Sequence, residues 1–308
     1  MKNKTKILAA ASIVAIVLAA TLVVLYYPST PASAPSTLPQ GEPPQTQFKV
    51  TGNVAQEKTW TLEDLTQMTL TNVTTTIDGE NATYLGVPFY DFCNQTGMLW
   101  DVGPVEIIGA DGHSATMNIF DAYNSSAYPY YYTNNVITLA FAKNGQWMTN
   151  ETGGPLKLIA PYFPTENQVE NVAEVRFKPW TISIIGMVEK PLVITQANLT
   201  SLQSRTVYAE FAPSVKRWSN WTGLPILDVL EAANVSDKAE KITITAVDGY
   251  EKDYTLLQVE EGEMLLGYAE NSLPMSHSDG GPYRLFAPTD KYKWAQFWVK
   301  FVCEIEVS

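Results

Sequence analysis

The sequence predicts an α+β fold with mixed, largely antiparallel sheets and short helices, used twice in tandem behind an N-terminal transmembrane helix. Three observations predict it. A charge-free apolar run lies near the start, an internal repeat follows, and each repeat holds more strand-like than helical segments.

The apolar run covers residues 7–27. As a helix it spans roughly 30 Å, the thickness of bilayer hydrocarbon. Lys2, Lys4 and Lys6 precede it, so residues 1–6 are expected in the cytoplasm. Tyr26 and Tyr27 suit the far interface. A cleaved signal peptide is the alternative, with Ala32-Ser33-Ala34 as its site, but the run exceeds the usual length of about 7–15 residues. Either way the rest is exported. Residues 28–46 are proline-dense and read as an extended linker.

A chain of 308 residues, 45% hydrophobic and 17% charged, suits about two packed domains. Its net charge is −12, and three of its lysines precede the membrane run, so the exported part is more acidic still. That charge excludes nucleic acid as a partner and disfavours lying flat on anionic lipid. The expected partners are the membrane, through the N-terminal helix, and an envelope protein or small-molecule ligand. Beyond the apolar run, eight N-x-S/T sequons, at Asn72, Asn81, Asn94, Asn124, Asn150, Asn198, Asn220 and Asn234, lead us to expect a glycoprotein. Export permits a disulfide, but Cys93 and Cys303 each sit in an apolar stretch and read as separate thiols.

The repeat rests on three ordered motifs. Gly86-Val87-Pro88 and Ala110-Asp111-Gly112 match Gly223-Leu224-Pro225 and Val247-Asp248-Gly249, each 137 residues on. Gly153-Gly154-Pro155-Leu156-Lys157 matches Gly280-Gly281-Pro282-Tyr283-Arg284, 127 residues on. Repeat 1 therefore carries ten extra residues, placed around the tyrosine-rich stretch 124–135. Residues 47–179 and 180–308 are the expected domains. Each opens with a strand, then a short capped helix at Leu62 or Gln196. A further strand and a loop ending in G-x-P come next. A helix follows that proline, and a hairpin turns at Asp-Gly. Strands after Gly-Gly-Pro and at the end of each repeat complete it.

These motifs resemble the oxidoreductase molybdopterin-binding domain, the sulfite oxidase-type module that holds the molybdenum cofactor. Repeat 2 carries the resemblance best, through Trp221-Thr222-Gly223-Leu224-Pro225, Asp248-Gly249-Tyr250, His277, Gly280-Gly281-Pro282-Tyr283-Arg284 and Lys293-Trp294. The resemblance implies molybdopterin as cofactor, with Trp221, His277, Arg284, Lys291 and Lys293 around it. It also implies one cysteine thiolate on the metal, from the strand before W-x-G-x-P. The matching stretches, residues 70–77 and 205–212, hold no cysteine. We therefore expect no metal ligand and no bound cofactor, in a binding or structural protein. The alternatives are an active molybdopterin oxidoreductase with altered ligation, for which Glu210 offers a hard oxygen, and an envelope scaffold or adhesion protein.

No other chemistry stands out. His113 reads as an exposed turn residue, and two histidines with two distant cysteines make no zinc or iron spacing. No G-x-S-x-G, phosphate-binding loop or G-x-G-x-x-G occurs. No catalytic residue is assigned. Tyr128 to Tyr132 read as an insertion packed on its own domain or as an aromatic rim, and Trp218 and Trp221 as core or as the border of the cofactor pocket.

Overall fold

A computed structural model describes residues 37–127, 136–199, 201–211 and 217–308. The expected transmembrane run, residues 28–36 of the linker and Tyr128 to Tyr132 lie outside the described residues. Among the described ones no helix is long and apolar enough to cross a membrane.

Repeat 1 runs β1 (Gln47–Gly52), β2 (Lys58–Thr61), α1 (Leu62–Thr66), β3 (Thr71–Ile77), β4 (Glu80–Pro88), α2 (Phe89–Gln95), β5 (Val102–Gly109), β6 (Ser114–Asn118), α3 (Ile119–Ala127), β7 (Thr138–Lys143), β8 (Gln146–Trp147), β9 (Lys157–Ile159) and β10 (Val172–Pro179). Repeat 2 copies that order with β11 (Ile182–Gly186), β12 (Leu192–Ile194), α4 (Gln196–Leu199), β13 (Arg205–Phe211), β14 (Arg217–Pro225), α5 (Ile226–Ala232), β15 (Lys241–Ala246), β16 (Glu251–Thr255), α6 (Leu256–Glu261), β17 (Leu265–Glu270), β18 (Leu273–Pro274), β19 (Arg284–Phe286) and β20 (Val302–Val307).

Each repeat folds into two five-stranded sheets of matching order. One is β2-β1-β10-β5-β6, copied as β12-β11-β20-β15-β16. The other is β3-β4-β7-β8 with β9 on β7, copied as β13-β14-β17-β18 with β19 on β17. Among the described strand pairs only β1–β10 and β11–β20 are parallel. The α+β, mostly antiparallel reading therefore holds.

Local chemistry accounts for most elements. Thr61 caps α1 in a reciprocal box with Asp64, whose carboxyl is held below its usual range first by the Thr61 N–H. Asp111-Gly112 and Asp248-Gly249 make the hairpins β5–β6 and β15–β16. Two expectations need correction. The G-x-P motif lies inside β4 and β14 and not in a loop. A Cβ on Gly86 would stand 2.3 Å from the Leu139 carbonyl oxygen, and one on Gly223 2.5 Å from that of Leu266, so the glycine admits the neighbouring strand. The sequence pattern also singled out neither α3 and α6 nor β7 and β17. The Thr138–Lys143 strand is buried except at its last residue, so it lacks the alternation that marks a half-exposed strand.

The ten extra residues fall between α3 and β7: α3 is longer than α6, and 128–137 stand where repeat 2 has only 262–264. Buried side chains from both repeats join one contiguous core, from Phe48 to Val307. Across the junction Phe120 packs edge-on against Phe301 at 4.4 Å, and the Trp180 N–H donates to the Asp101 carbonyl at 2.6 Å.

Candidate functional site

The candidate site of repeat 2 lies beside β13. Alternation along this strand sends Val207, Ala209 and Phe211 to one face and Thr206, Tyr208 and Glu210 to the other. On the first face Ala209, Trp221, Leu265, Met275, Phe286 and Trp298 form a compact cluster. Trp221 is fully buried, 5.3 Å from the Phe286 ring and 5.5 Å from Trp298, and its Nε1 donates to the Ala209 carbonyl at 3.3 Å. Its place is core packing.

Next to that cluster lies a cleft of about 420 Å³, with Phe211, Asp248, Tyr250, Arg284, Trp298 and Lys300 on its walls. Arg284, on β19, is only 4% exposed. Its guanidinium carbon lies 4.8 Å from the Phe211 ring and 5.0 Å from Trp298, a stacked cation. Nη1 donates to the Asp279 carbonyl at 2.6 Å, and Nε has no partner. Burial lowers its pKa to about 10, with Asp279 opposing and Arg217 adding to the drop. Lys300 is lowered too, by burial first and then by Arg284. Arg217 is paired, with Glu270 at 2.7 Å and Asp279 at 3.5 Å.

The other expected residues stand elsewhere. Lys293 Nζ donates to Glu210 Oε2 at 2.9 Å and Asp290 Oδ1 at 3.1 Å, and Glu210 is 9% exposed. Lys291 is exposed and donates to Glu261 Oε2 at 2.6 Å. Neither lysine lines the cleft. His277 is buried at the junction of the repeats, its Nδ1 2.9 Å from the Tyr90 hydroxyl and its Nε2 without a partner. Burial lowers it to about 4 and raises Tyr90 to about 12. The loop reading of His277 and the pocket-edge reading both understate its place. It heads a short 3-10 turn (His277–Asp279) and also lines a second cleft, of about 250 Å³, with Tyr90 and Trp100.

Of the five expected cofactor residues, Arg284 alone lines the larger cleft, with Trp221 packed behind it. Sequence reasoning missed Phe211, Trp298 and Lys300. Lys300 had a signal. It is the counterpart of Glu170, each preceding a residue of positive φ, Phe301 and Asn171, at the head of the last strand.

His113 is exposed in its turn, as expected. Both cysteines are free, Cys93 buried in α2 and Cys303 half-buried on β20. Burial raises both thiols. Among the described residues no group of three or more His, Cys, Asp and Glu is placed to hold a metal ion.

Comparison with known proteins agrees with the duplication. The family described as oxidoreductase molybdopterin binding domain matches residues 36–178 and again 169–308. Among solved structures, the sulfane dehydrogenase SoxCD from Paracoccus pantotrophus matches at 13% identity and a TM-score of 0.36, over 85% of this chain and 77% of that one. No curated protein matches. The family match covers nearly the whole described chain in two successive parts, and each part carries one copy of the same strand order. The chain belongs to the oxidoreductase molybdopterin-binding domain family, as two tandem copies.

Proposed function

We propose that this is a membrane-anchored, exported protein in which the second of two molybdopterin-binding-type domains serves as a binding scaffold and not as a molybdenum redox centre. One observation carries the reading. The strand that matches the family's ligand-bearing stretch presents Glu210, already held by Lys293, while Trp221, Phe286 and Trp298 fill the space behind it.

The residues do not fit a thiolate-held molybdenum. A soft metal centre favours a thiolate, and the two thiols sit within α2 and on β20, off the cleft, with Cys303 Sγ directed at the Thr245 carbonyl. Glu210 favours the second reading, a molybdenum centre with an oxygen ligand, only if Lys293 gives it up. The envelope role draws on the linker, the sequons and the exposed Tyr208–Trp218 pair, whose rings lie 5.4 Å apart.

The full chain, produced in a host that makes the cofactor, decides between them by elemental analysis and pterin fluorescence after oxidation. Molybdenum and pterin far below one per chain are expected. One of each per chain overturns the scaffold reading.

A further inference from the structure

The outer face of the β13–β14 pair carries two aromatic rings that the described residues leave open. Tyr208 is 64% exposed and Trp218 54%, and their rings lie 5.4 Å apart. The strand register sets Tyr208 opposite Asn220, and Glu210 opposite Trp218. Side chains alternate along a strand, so Tyr208, Trp218 and Asn220 share this face. Repeat 1 shows that the fold does not require the aromatics. At the same places β3 and β4 carry Thr74, Asn81 and Thr83, and the two threonine hydroxyls bond at 2.8 Å.

Asn220 opens the sequon Asn220-Trp221-Thr222. Its backbone is pinned: its N–H donates to Asn271 Oδ1 at 3.0 Å, and its carbonyl accepts the Asn271 N–H at 2.8 Å. Its side chain is exposed and makes no hydrogen bond among the described residues. Two other sequon asparagines have their amides engaged. Asn198 Nδ2 donates to the Val193 carbonyl at 2.6 Å, and Asn234 Nδ2 donates to Glu189. The face around Asn220 is also close to neutral. Its one acid, Glu210, is paired with Lys293, and Thr206 and Thr222 bond each other at 2.8 Å. A neutral, partly apolar occupant suits it.

We infer that Asn220 carries an N-linked glycan whose first sugar lies across Tyr208 and Trp218. A pyranose ring has a face of C–H groups. That face packs on the negative face of an aromatic ring and removes apolar surface from water. Transfer joins Asn220 Nδ2 to the anomeric carbon of an oligosaccharide carried on a lipid phosphate. The anomeric C–O bond to the phosphate breaks, the lipid phosphate leaves with that electron pair, and the amide gives up one proton to a base of the transferase. The inference rests on export of the chain, yet the two fail separately: a glycan at any sequon supports export, and only Asn220 bears on this site.

The full chain is produced in a host whose export membrane performs N-glycosylation. Its peptides are treated with a glycan amidase in heavy-oxygen water and read by mass spectrometry. The peptide of Asn220 should carry a labelled aspartate at that position. Asn220→Gln should lower the melting temperature of the glycosylated chain by about 2 °C. The same change should have no effect in the double variant Tyr208→Ser, Trp218→Ser, or in chain made by a host without N-glycosylation. Asn81→Gln, on the equivalent face without aromatics, should have none either. An unmodified Asn220 beside glycans at other sequons overturns the site and leaves export standing, and no glycan at any sequon counts against both. A modified Asn220 whose loss costs the same with and without the aromatic pair, or no more than Asn81→Gln, overturns the packing.

Discussion

His277 offers the sharpest test of how the two repeats hold together. An imidazole in the unfolded chain titrates near 6.5, and burial between Tyr90 and Tyr123 lowers this one to about 4. Between those values the unfolded chain binds a proton that the folded chain does not, so stability falls as pH drops. The contribution is complete above pH 6.5 and disappears as pH falls through 4. At about 1.4 kcal/mol per pH unit the loss is about 3 kcal/mol. Asp91 and Asp121, raised by their own burial, contribute in the opposite direction. His277→Gln removes the imidazole and leaves both carboxyls, so the difference between the two proteins isolates His277. Urea unfolding of the full chain in detergent, followed by tryptophan fluorescence at pH 7 and pH 4.5, measures it. The variant should lose less stability on acidification than the unmodified chain, by about 2 kcal/mol over this narrower range. Equal losses would refute the burial of a neutral imidazole at this junction.

Three other outcomes follow from the packing. Gly52→Ala should cost more than about 2 kcal/mol, because its φ is +86° and a Cβ would stand 2.1 Å from the Phe177 carbonyl oxygen; Gly79→Ala, with φ +81° and nothing within 4 Å, should cost only about 1 kcal/mol by the same denaturation assay. Trp221→Ala should destabilise the chain by about 3–5 kcal/mol through the cavity it leaves, whereas an indole at the border of an open pocket would cost far less. A thiol reagent should modify neither cysteine quickly at neutral pH, then titrate both after unfolding, with Cys303 reacting before Cys93 as denaturant rises.

The fold was legible where local chemistry writes it. The Asp-Gly hairpins and the capped turn at Thr61 each need a particular residue type, and the backbone uses them. The strands β7 and β17 were not legible, because a strand buried nearly throughout has no alternation to read. Thr255 and Gln258 form a capping box as complete as that of α1, but the box directly follows a strand whose pattern runs into it.

The site was less legible than the fold. Arg284, His277 and Lys293 each carried a family motif, yet motif order says nothing of which side chains share a cleft. By itself the sequence determined the duplication, the mixed α+β architecture and the absence of cysteine from residues 70–77 and 205–212. These depend on residue order and local backbone preference. Only the tertiary structure decided that Trp221 is core, that Lys293 is held by Glu210, that His277 joins the repeats and that Lys300 stands against Arg284 where repeat 1 has Glu170. Those depend on contacts between residues tens to hundreds of positions apart, and a change from acid to base at one such contact alters the chemistry of a cleft without disturbing the fold around it.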